Sequence, residues 1–300
     1  MFVYNRFEHT QKTIEALQKN ELASESELII YADGAKNDDI SSQVQEVRDY
    51  IKTVNGFKKV IIIEQDENCG LADSIISGVT KVANEYGKVI VLEDDVVTSP
   101  YFLKFMNDAL NFYENKEKVW HISGWNYPIG IDGPDDVFLW RLMNCWGGAT
   151  WADRWQHFEK DTDKLIGEFT KEDIYQFNLD GVGIFWEQVL LNKRSKINTW
   201  AIYWYATIFK KNGLCANSSK SFVENIGHDG SGMHCGENNS YSGYLCLKKD
   251  IEFSDHIKES RAAIREVKKF YRFQKGYRLR RMIGKLLKLF KSTLDVKESK

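Results

Sequence analysis

Three adjacent acids, Glu93-Asp94-Asp95, follow directly on the apolar run Val89-Ile90-Val91-Leu92. Carboxylates packed this closely repel one another, and a divalent cation bridging them to a diphosphate relieves that repulsion. Asp95, expected at an exposed strand end, is the first candidate metal ligand, with Glu93 and Asp94 beside it. A solvated acidic turn leading into the helix near Pro100 is the competing reading. Asp33-Gly34 also follows an apolar run, Leu28–Ala32. An aspartate there can accept hydrogen bonds from a base or ribose, and the glycine permits a tight turn, although Asp-Gly is a common turn in its own right. Asn68-Cys69-Gly70-Leu71-Ala72-Asp73 then opens a helical stretch, where a glycine lets a phosphate or ribose approach backbone N–H groups. The last cluster runs from Asn225 to Cys235 and is dense in Gly, His, Asp and Asn, the composition of an ordered functional loop. Its His234 is a candidate third metal ligand or phosphate contact.

Two chemistries are missing from the sequence. No G-x-x-x-x-G-K-[ST] occurs, which argues against phosphoryl transfer from a P-loop. No G-x-S-x-G occurs either, which argues against a serine hydrolase.

The elements that must position these residues are legible as an alternation. Strand-like runs at Phe2–Tyr4, Leu28–Tyr31, Val60–Ile63, Val89–Leu92 and Val119–Ile122 are separated by helical patterns near 8–20, 41–54, 70–85 and 99–115. Near-continuous apolar strands alternating with helices predict a mostly parallel sheet covered on both faces. Sheets of this Rossmann-like α/β class bind ligands beyond the carboxyl ends of their strands. Only Met1 to Tyr4 precede the polar Asn5-Arg6, so the first strand is expected to be short. Residues 126–256 are richer in Trp, Gly and Asn, with helices expected near 149–158, 183–194 and 200–211.

The chain has 300 residues, is 43% apolar and carries a net charge of −2. That small net charge conceals a division. Residues 265–291 hold eleven Lys or Arg against one acid, Glu266, so the remainder carries −12. Within 276–291, Leu279, Met282, Ile283, Leu286 and Phe290 recur at helical spacing among Arg278, Arg280, Arg281, Lys285, Lys288 and Lys291. Such a basic amphipathic helix can lie on an anionic membrane surface. Packing of its apolar face on the domain, or on a second copy in a homo-oligomer, is the alternative. Nucleic acid is not an expected partner, because the acidic body would repel phosphates. Five cysteines without a C-x-x-C pair argue for reduced thiols rather than a disulfide or zinc framework. No signal peptide and no spanning run are visible, so a cytoplasmic body, peripheral on the inner face of the cell membrane, is expected.

In this order, the segments resemble GT-A glycosyltransferases, specifically bacterial family 2-like sugar transferases, over roughly residues 2–236. Phe2-Val3-Tyr4-Asn5-Arg6 resembles the first-strand motif leading to the nucleotide, and Asp33 the base-recognising acid. Asn68, Gly70 and Asp73 lie in a segment similar to the N-x-G-L-A turn beside the donor. Leu92 to Asp95 is similar to the D-x-D-type metal motif. Trp146-Gly147-Gly148 resembles the segment lining the donor sugar and acceptor, and Asn225 through His234 the closing loop.

The resemblance implies a GT-A domain over 1–257, with a nucleotide-sugar-binding half (1–125) and an acceptor-side half (126–257), followed by a basic helical tail (258–300). It implies metal-dependent transfer, with Mn2+ or Mg2+ on Asp95 and His234, from a nucleotide-sugar donor to a glycan or lipid-linked acceptor, in bacterial surface polysaccharide or glycoconjugate assembly. Tyr4, Asn5, Arg6, Asp33, Asn68, Gly70, Asp73, Glu93, Asp94, Trp146, Gly147 and Gly148 would bind the donor. Where relatives carry a Trp-Asp pair this chain has Trp200-Ala201, so Glu187, with Asp180 and Asp153 behind it, is the expected base. A sugar nucleotidyltransferase and a non-catalytic carbohydrate- or membrane-binding module are the rival functions.

Overall fold

The computed structural model describes residues 1–130, 136–230 and 243–274. Strand β1 (Phe2–Val3) leads into α1 (Phe7–Gln18), whose buried Thr10, Thr13, Ile14 and Leu17 recur at three- and four-residue spacing. There follow β2 (Glu27–Ala32), α2 (Ser41–Ile51), β3 (Lys59–Glu64), α3 (Leu71–Tyr86), β4 (Lys88–Val91), β5 (Val96–Thr98), α4 (Phe102–Tyr113) and β6 (Val119–Ser123). The acceptor-side half contributes β7 (Val137–Trp140), β8 (Gly148–Trp151), α5 (Ala152–Trp155), α6 (Thr162–Glu168), α7 (Lys171–Phe177), α8 (Phe185–Lys193), α9 (Ala201–Lys210), β9 (Leu214–Ser218) and β10 (Val223–Asn225). A last helix, α10, spans residues 261–274.

Strands β1, β2 and β3 form a parallel sheet in that order. A second sheet has the order β4-β8-β6-β9-β7 and is mixed, with only β6 and β9 running parallel. Phe2 N–H donates to Leu92 O (3.0 Å) and Phe2 bridges Glu93, so the two sheets meet at β1. That junction puts the ends of β1 and β4 side by side. The α/β, Rossmann-like expectation is met by the parallel first sheet. In the second sheet the antiparallel pairings enter through β7 and β8, strands from the irregular half where no βα alternation was legible, and β5 pairs antiparallel with β10 in a separate two-stranded sheet.

Burial explains the helix registers. On α3, Ala72, Ile75, Val79 and Ala83 are buried, and Gly78 lies where a Cβ would come 2.7 Å from the Phe2 ring. Gly87 ends this helix at φ +80°, its N–H returning to Ala83 O, a left-handed cap that favours glycine. The strands β6, β8 and β9 are buried along their whole length. Between β2 and β4 an apolar groove of about 330 Å³ is lined by Phe2, Ile29, Tyr31, Val89, Val91 and Leu103, beside the two-residue β1.

No described helix is long and apolar enough to cross a membrane. Cys69, Cys215 and Cys246 are free thiols. Residues 275–300, with the amphipathic pattern of the tail, lie outside the described residues, as do His234 and Cys235.

Candidate active site

The acidic cluster sits between β4 and β5, at the junction of the two sheets. It is not exposed as expected: Asp94 and Asp95 are each only 6% accessible. The turn from β4 into β5 folds inward and is covered by α1 and by the loop after β10. Arg6, at the start of α1, supplies the compensating charge. Its Nε donates to Asp94 Oδ2 (3.2 Å), and its Nη2 donates to Asp94 Oδ1 and to Asp95 Oδ2, the latter at 2.7 Å. Thr13 Oγ1 donates to the Asp94 carbonyl (2.8 Å).

On the other side Asn225 Nδ2 donates to Asp95 Oδ1 (3.3 Å), and Ile226 N–H donates to the Asp95 carbonyl (2.8 Å). Gly227 completes the cradle. A Cβ there would overlap Asp95 Oδ2 and come 3.0 Å from Arg6 Nη1. The same loop is tied to α1 by His9 Nε2 and Asp229 Oδ2, 3.1 Å apart.

Electrostatics follow from this crowding. Burial, then the charges of Asp95 and Asp94, push the Glu93 carboxyl up to about 8. Burial also raises Asp94, with Arg6 pulling the other way. For Arg6, burial opposes the charge, but Asp94 and Asp95 hold the guanidinium well above its ordinary value. Two carboxylates, Asp94 and Asp95, and the neutral Glu93 carboxyl face one guanidinium, so the cluster keeps a surplus of negative charge.

Among the described residues no group of three or more His, Cys, Asp or Glu side chains converges at metal-ligand spacing. The donor set nevertheless suits a hard divalent ion of the kind held by one or two carboxylates plus substrate phosphates, rather than by an all-protein cage. Asp95 and Asp94 are the side chains that fit.

Asp33 has a different arrangement from the one expected. Its Oδ1 accepts from Gly34 N and Cys69 N (3.0 and 2.8 Å), and its Oδ2 from Gly70 N and Asn68 Nδ2 (2.9 and 3.0 Å). This carboxylate therefore clamps the turn 67–70 against the end of β2. Gly34 is needed at the crossing, because a Cβ would lie 2.5 Å from Glu67 O. Asn68 also donates to Gly34 O (2.8 Å), and Gly70 takes φ +75°. Tyr4 OH accepts from Lys36 N–H (3.3 Å), and Asn5 Nδ2 donates to Gln43 (3.1 Å). Asp73 is exposed and faces Lys160 and Asn198, each at 3.5 Å, across from the other half.

Gly147 and Gly148 are both buried. Gly147 takes φ +59°, and Gly148 lies in β8, where a Cβ would come 2.5 Å from the His121 ring. His121 is neutral, burial pushing it down to about 4. Trp146 lies beside the loop after β10, its ring 5.3 Å from His228 and 4.6 Å from Trp125.

The expected bases each have partners of their own. Glu187, on α8, is half exposed and 3.8 Å from Arg194. Asp180 binds Arg141 (3.2 and 3.4 Å) and Lys268, and Asp153 pairs with Arg154 (2.6 Å). Among the described residues, none of the three bonds to the acidic cluster. Sequence reasoning passed over His9 and Thr13, which sit on α1 with no local pattern to mark them.

Residues 1–117 match the family described as Glycosyl transferase family 2. No curated protein matches the chain. Among solved structures the chain is similar to a mannosyltransferase from Pyrobaculum calidifontis, solved in complex with GDP-Man and Mn2+. The identity is 10%, the TM-score 0.39, and the match covers 70% of this chain and 68% of that one. A likeness of that size bears on neither substrate nor metal. The segment that holds Arg6, Asp33, Asn68 and the Glu93-Asp94-Asp95 cluster thus matches glycosyl transferase family 2, and glycosyltransferase is the enzyme class this match gives the protein.

Proposed function

We propose that the protein moves a sugar from a nucleoside-diphosphate donor to a glycan or lipid-linked acceptor, in bacterial surface polysaccharide or glycoconjugate assembly. The observation that carries this reading is the convergence of Arg6, Asp94, Asp95 and Asn225 where β1 and β4 end side by side. Ligands of open α/β sheets bind beyond strand ends of this kind. Asp33, Asn68 and Gly70 shape the adjoining turn, on which a nucleoside would rest.

A divalent ion, Mn2+ or Mg2+, held by Asp95 and Asp94 would supply neutralisation of the leaving diphosphate. The protein's own side chains do the rest. Arg6 holds both carboxylates in place and shares their charge as the donor phosphates arrive. Trp146 offers a flat edge beside the loop after β10. His234, in the continuation of that loop, is proposed to reach the ion or the diphosphate. Glu187 is proposed as the base that takes the proton from the acceptor hydroxyl, with Asp180 behind it. The site works at a membrane surface on the cytoplasmic face, with the basic tail as the element that holds it there.

Purified protein given a panel of nucleotide sugars and acceptors is expected to release nucleoside diphosphate with one donor. Asp95→Asn keeps the shape of the buried carboxylate and removes its charge, so donor-dependent release should stop while the melting curve is retained. Full activity of that variant in EDTA would overturn the assignment. Release of pyrophosphate from a sugar phosphate and a nucleoside triphosphate would favour the nucleotidyltransferase reading.

A further inference from the structure

Helix α10 carries a feature that the reaction does not use. Arg261, Arg265, Lys268 and Arg272 recur at spacings of four, three and four residues, which places them within about 60° of one another on a helix of 3.6 residues per turn. The opposite side of the helix is fixed to the body through buried Ala263 and Val267, and buried Ile264 lies at the margin of the basic row. Its start is pinned by Ser260 N–H donating to Leu139 O (2.7 Å), and its end by the Tyr271 and Tyr127 hydroxyls, 2.7 Å apart. The basic row is therefore presented rigidly along the edge strand β7.

Arg141, which follows β7, joins the row to close a groove of about 330 Å³ lined by five cations and a single carboxylate, Glu259. Arg141 and Lys268 are engaged by Asp180, and Arg265 by Glu266 at 3.0 Å. Arg261 and Arg272 make no ion pair among the described residues, and both are exposed. Phe273, beside Arg272, is 74% accessible.

We propose that this face of α10 is a docking surface for the phosphate headgroups of an anionic lipid bilayer. The inference rests on the membrane-surface reading above and names the residues that would meet the lipid. Charge complementarity selects a polyanion, and the row runs about 16 Å at 1.5 Å per residue, too long for one phosphate and suited to several headgroups. An exposed aromatic at its end matches the boundary between headgroups and acyl chains. The chain beyond continues in the same sense, with Lys275, Arg278, Arg280 and Arg281.

The test uses the full chain and vesicles of phosphatidylcholine, with and without phosphatidylglycerol, read by sedimentation. Wild-type protein should bind only the anionic vesicles and let go at high salt. Each basic residue near an anionic surface contributes about five-fold, so R261Q/R265Q/R272Q should bind about 100-fold more weakly, with unchanged melting temperature and unchanged donor hydrolysis. Phe273→Trp should blue-shift on the anionic vesicles. If the triple variant binds like wild type while K285Q/K288Q/K291Q does not, the proposal is wrong and the terminal tail is the contact. Wild-type binding to a single-stranded RNA homopolymer with no binding to vesicles would also overturn it, as would competition by millimolar inorganic phosphate beyond that of matched chloride. Vesicle binding without any sugar transfer would sink the enzymatic reading and leave this one standing.

Discussion

Replacing Arg6 by Gln tests the reading of the acidic cluster most directly. The guanidinium makes both side-chain hydrogen bonds that Asp94 receives and one of the two that Asp95 receives. The two carboxylates have side-chain accessibilities of 8% and 9%, and Arg6 itself of 19%. Removing one partner of a buried ion pair costs about 3–5 kcal/mol, because the other charge is left uncompensated. Water reaching the space beside Arg6 lowers that to about 2–4 kcal/mol. In a chain of this size each kilocalorie moves the midpoint by about 2–4 °C, so a fall of about 4–16 °C is expected.

The loss has a pH signature. Without Arg6, which pulls it down, the raised Asp94 carboxyl rises further in the folded state, so its unfolded counterpart ionises first and stability falls as pH increases. The difference between Arg6→Gln and wild type should therefore be large at pH 8 and shrink towards pH 4 as Asp94 takes up its proton. Arg6→Lys keeps a charge but loses the planar fork, and should fall in between. Calorimetry or urea unfolding at the two pH values reads this directly. An Arg6→Gln midpoint equal to wild type at pH 8, or a loss that does not shrink on acidification, would refute the argument that Arg6 neutralises buried charge.

The other expectations use the same cluster and its surroundings. Glu93 is held up to about 8 by burial and by Asp95 and Asp94, so its folded carboxyl stays neutral while the unfolded one ionises. That costs stability progressively from about pH 4.5 to 8, and Glu93→Gln should stabilise the unliganded protein by about 1–3 kcal/mol at pH 8 and by almost nothing at pH 4. A destabilised variant at pH 8 would show that the charged form is the one the fold prefers. Gly227→Ala should cost about 1–3 kcal/mol through overpacking, since its Cβ meets Asp95 and Arg6. Titration calorimetry with a nucleoside diphosphate should show a parallel loss of affinity, and equal affinity would detach this loop from the donor. Glu187→Gln should lower turnover by about 10²–10⁴-fold with donor affinity kept. Unchanged turnover would remove Glu187 from the reaction.

The sequence by itself determined the parts of this protein that depend on local pattern. Apolar runs followed by helical spacing marked β1 to β4, β6 and α1 to α4, because a buried parallel strand and an amphipathic helix each leave a period that needs no distant partner. It marked the acids at 93–95, the turn at 68–73 and the loop at 225 for the same reason: adjacent like charges and clustered glycines have few uses. It did not mark α6, α7 or the antiparallel pairings of β7 and β8, whose strands are chosen by what they pack against. Only the tertiary structure decided how the marked residues are used. Asp33, read as a contact for a base, has all four of its side-chain hydrogen bonds turned inward onto residues 34–70. Asp180, about three-fifths of the chain away from β1, is bound by Arg141 and by Lys268 from α10. Arg6 and Asp94 are 88 residues apart, and their pairing follows from β1 lying beside β4. Charge neutralisation across that distance has no local period to reveal it, which is why an exposed acidic turn and a buried ion-paired one look the same in the sequence.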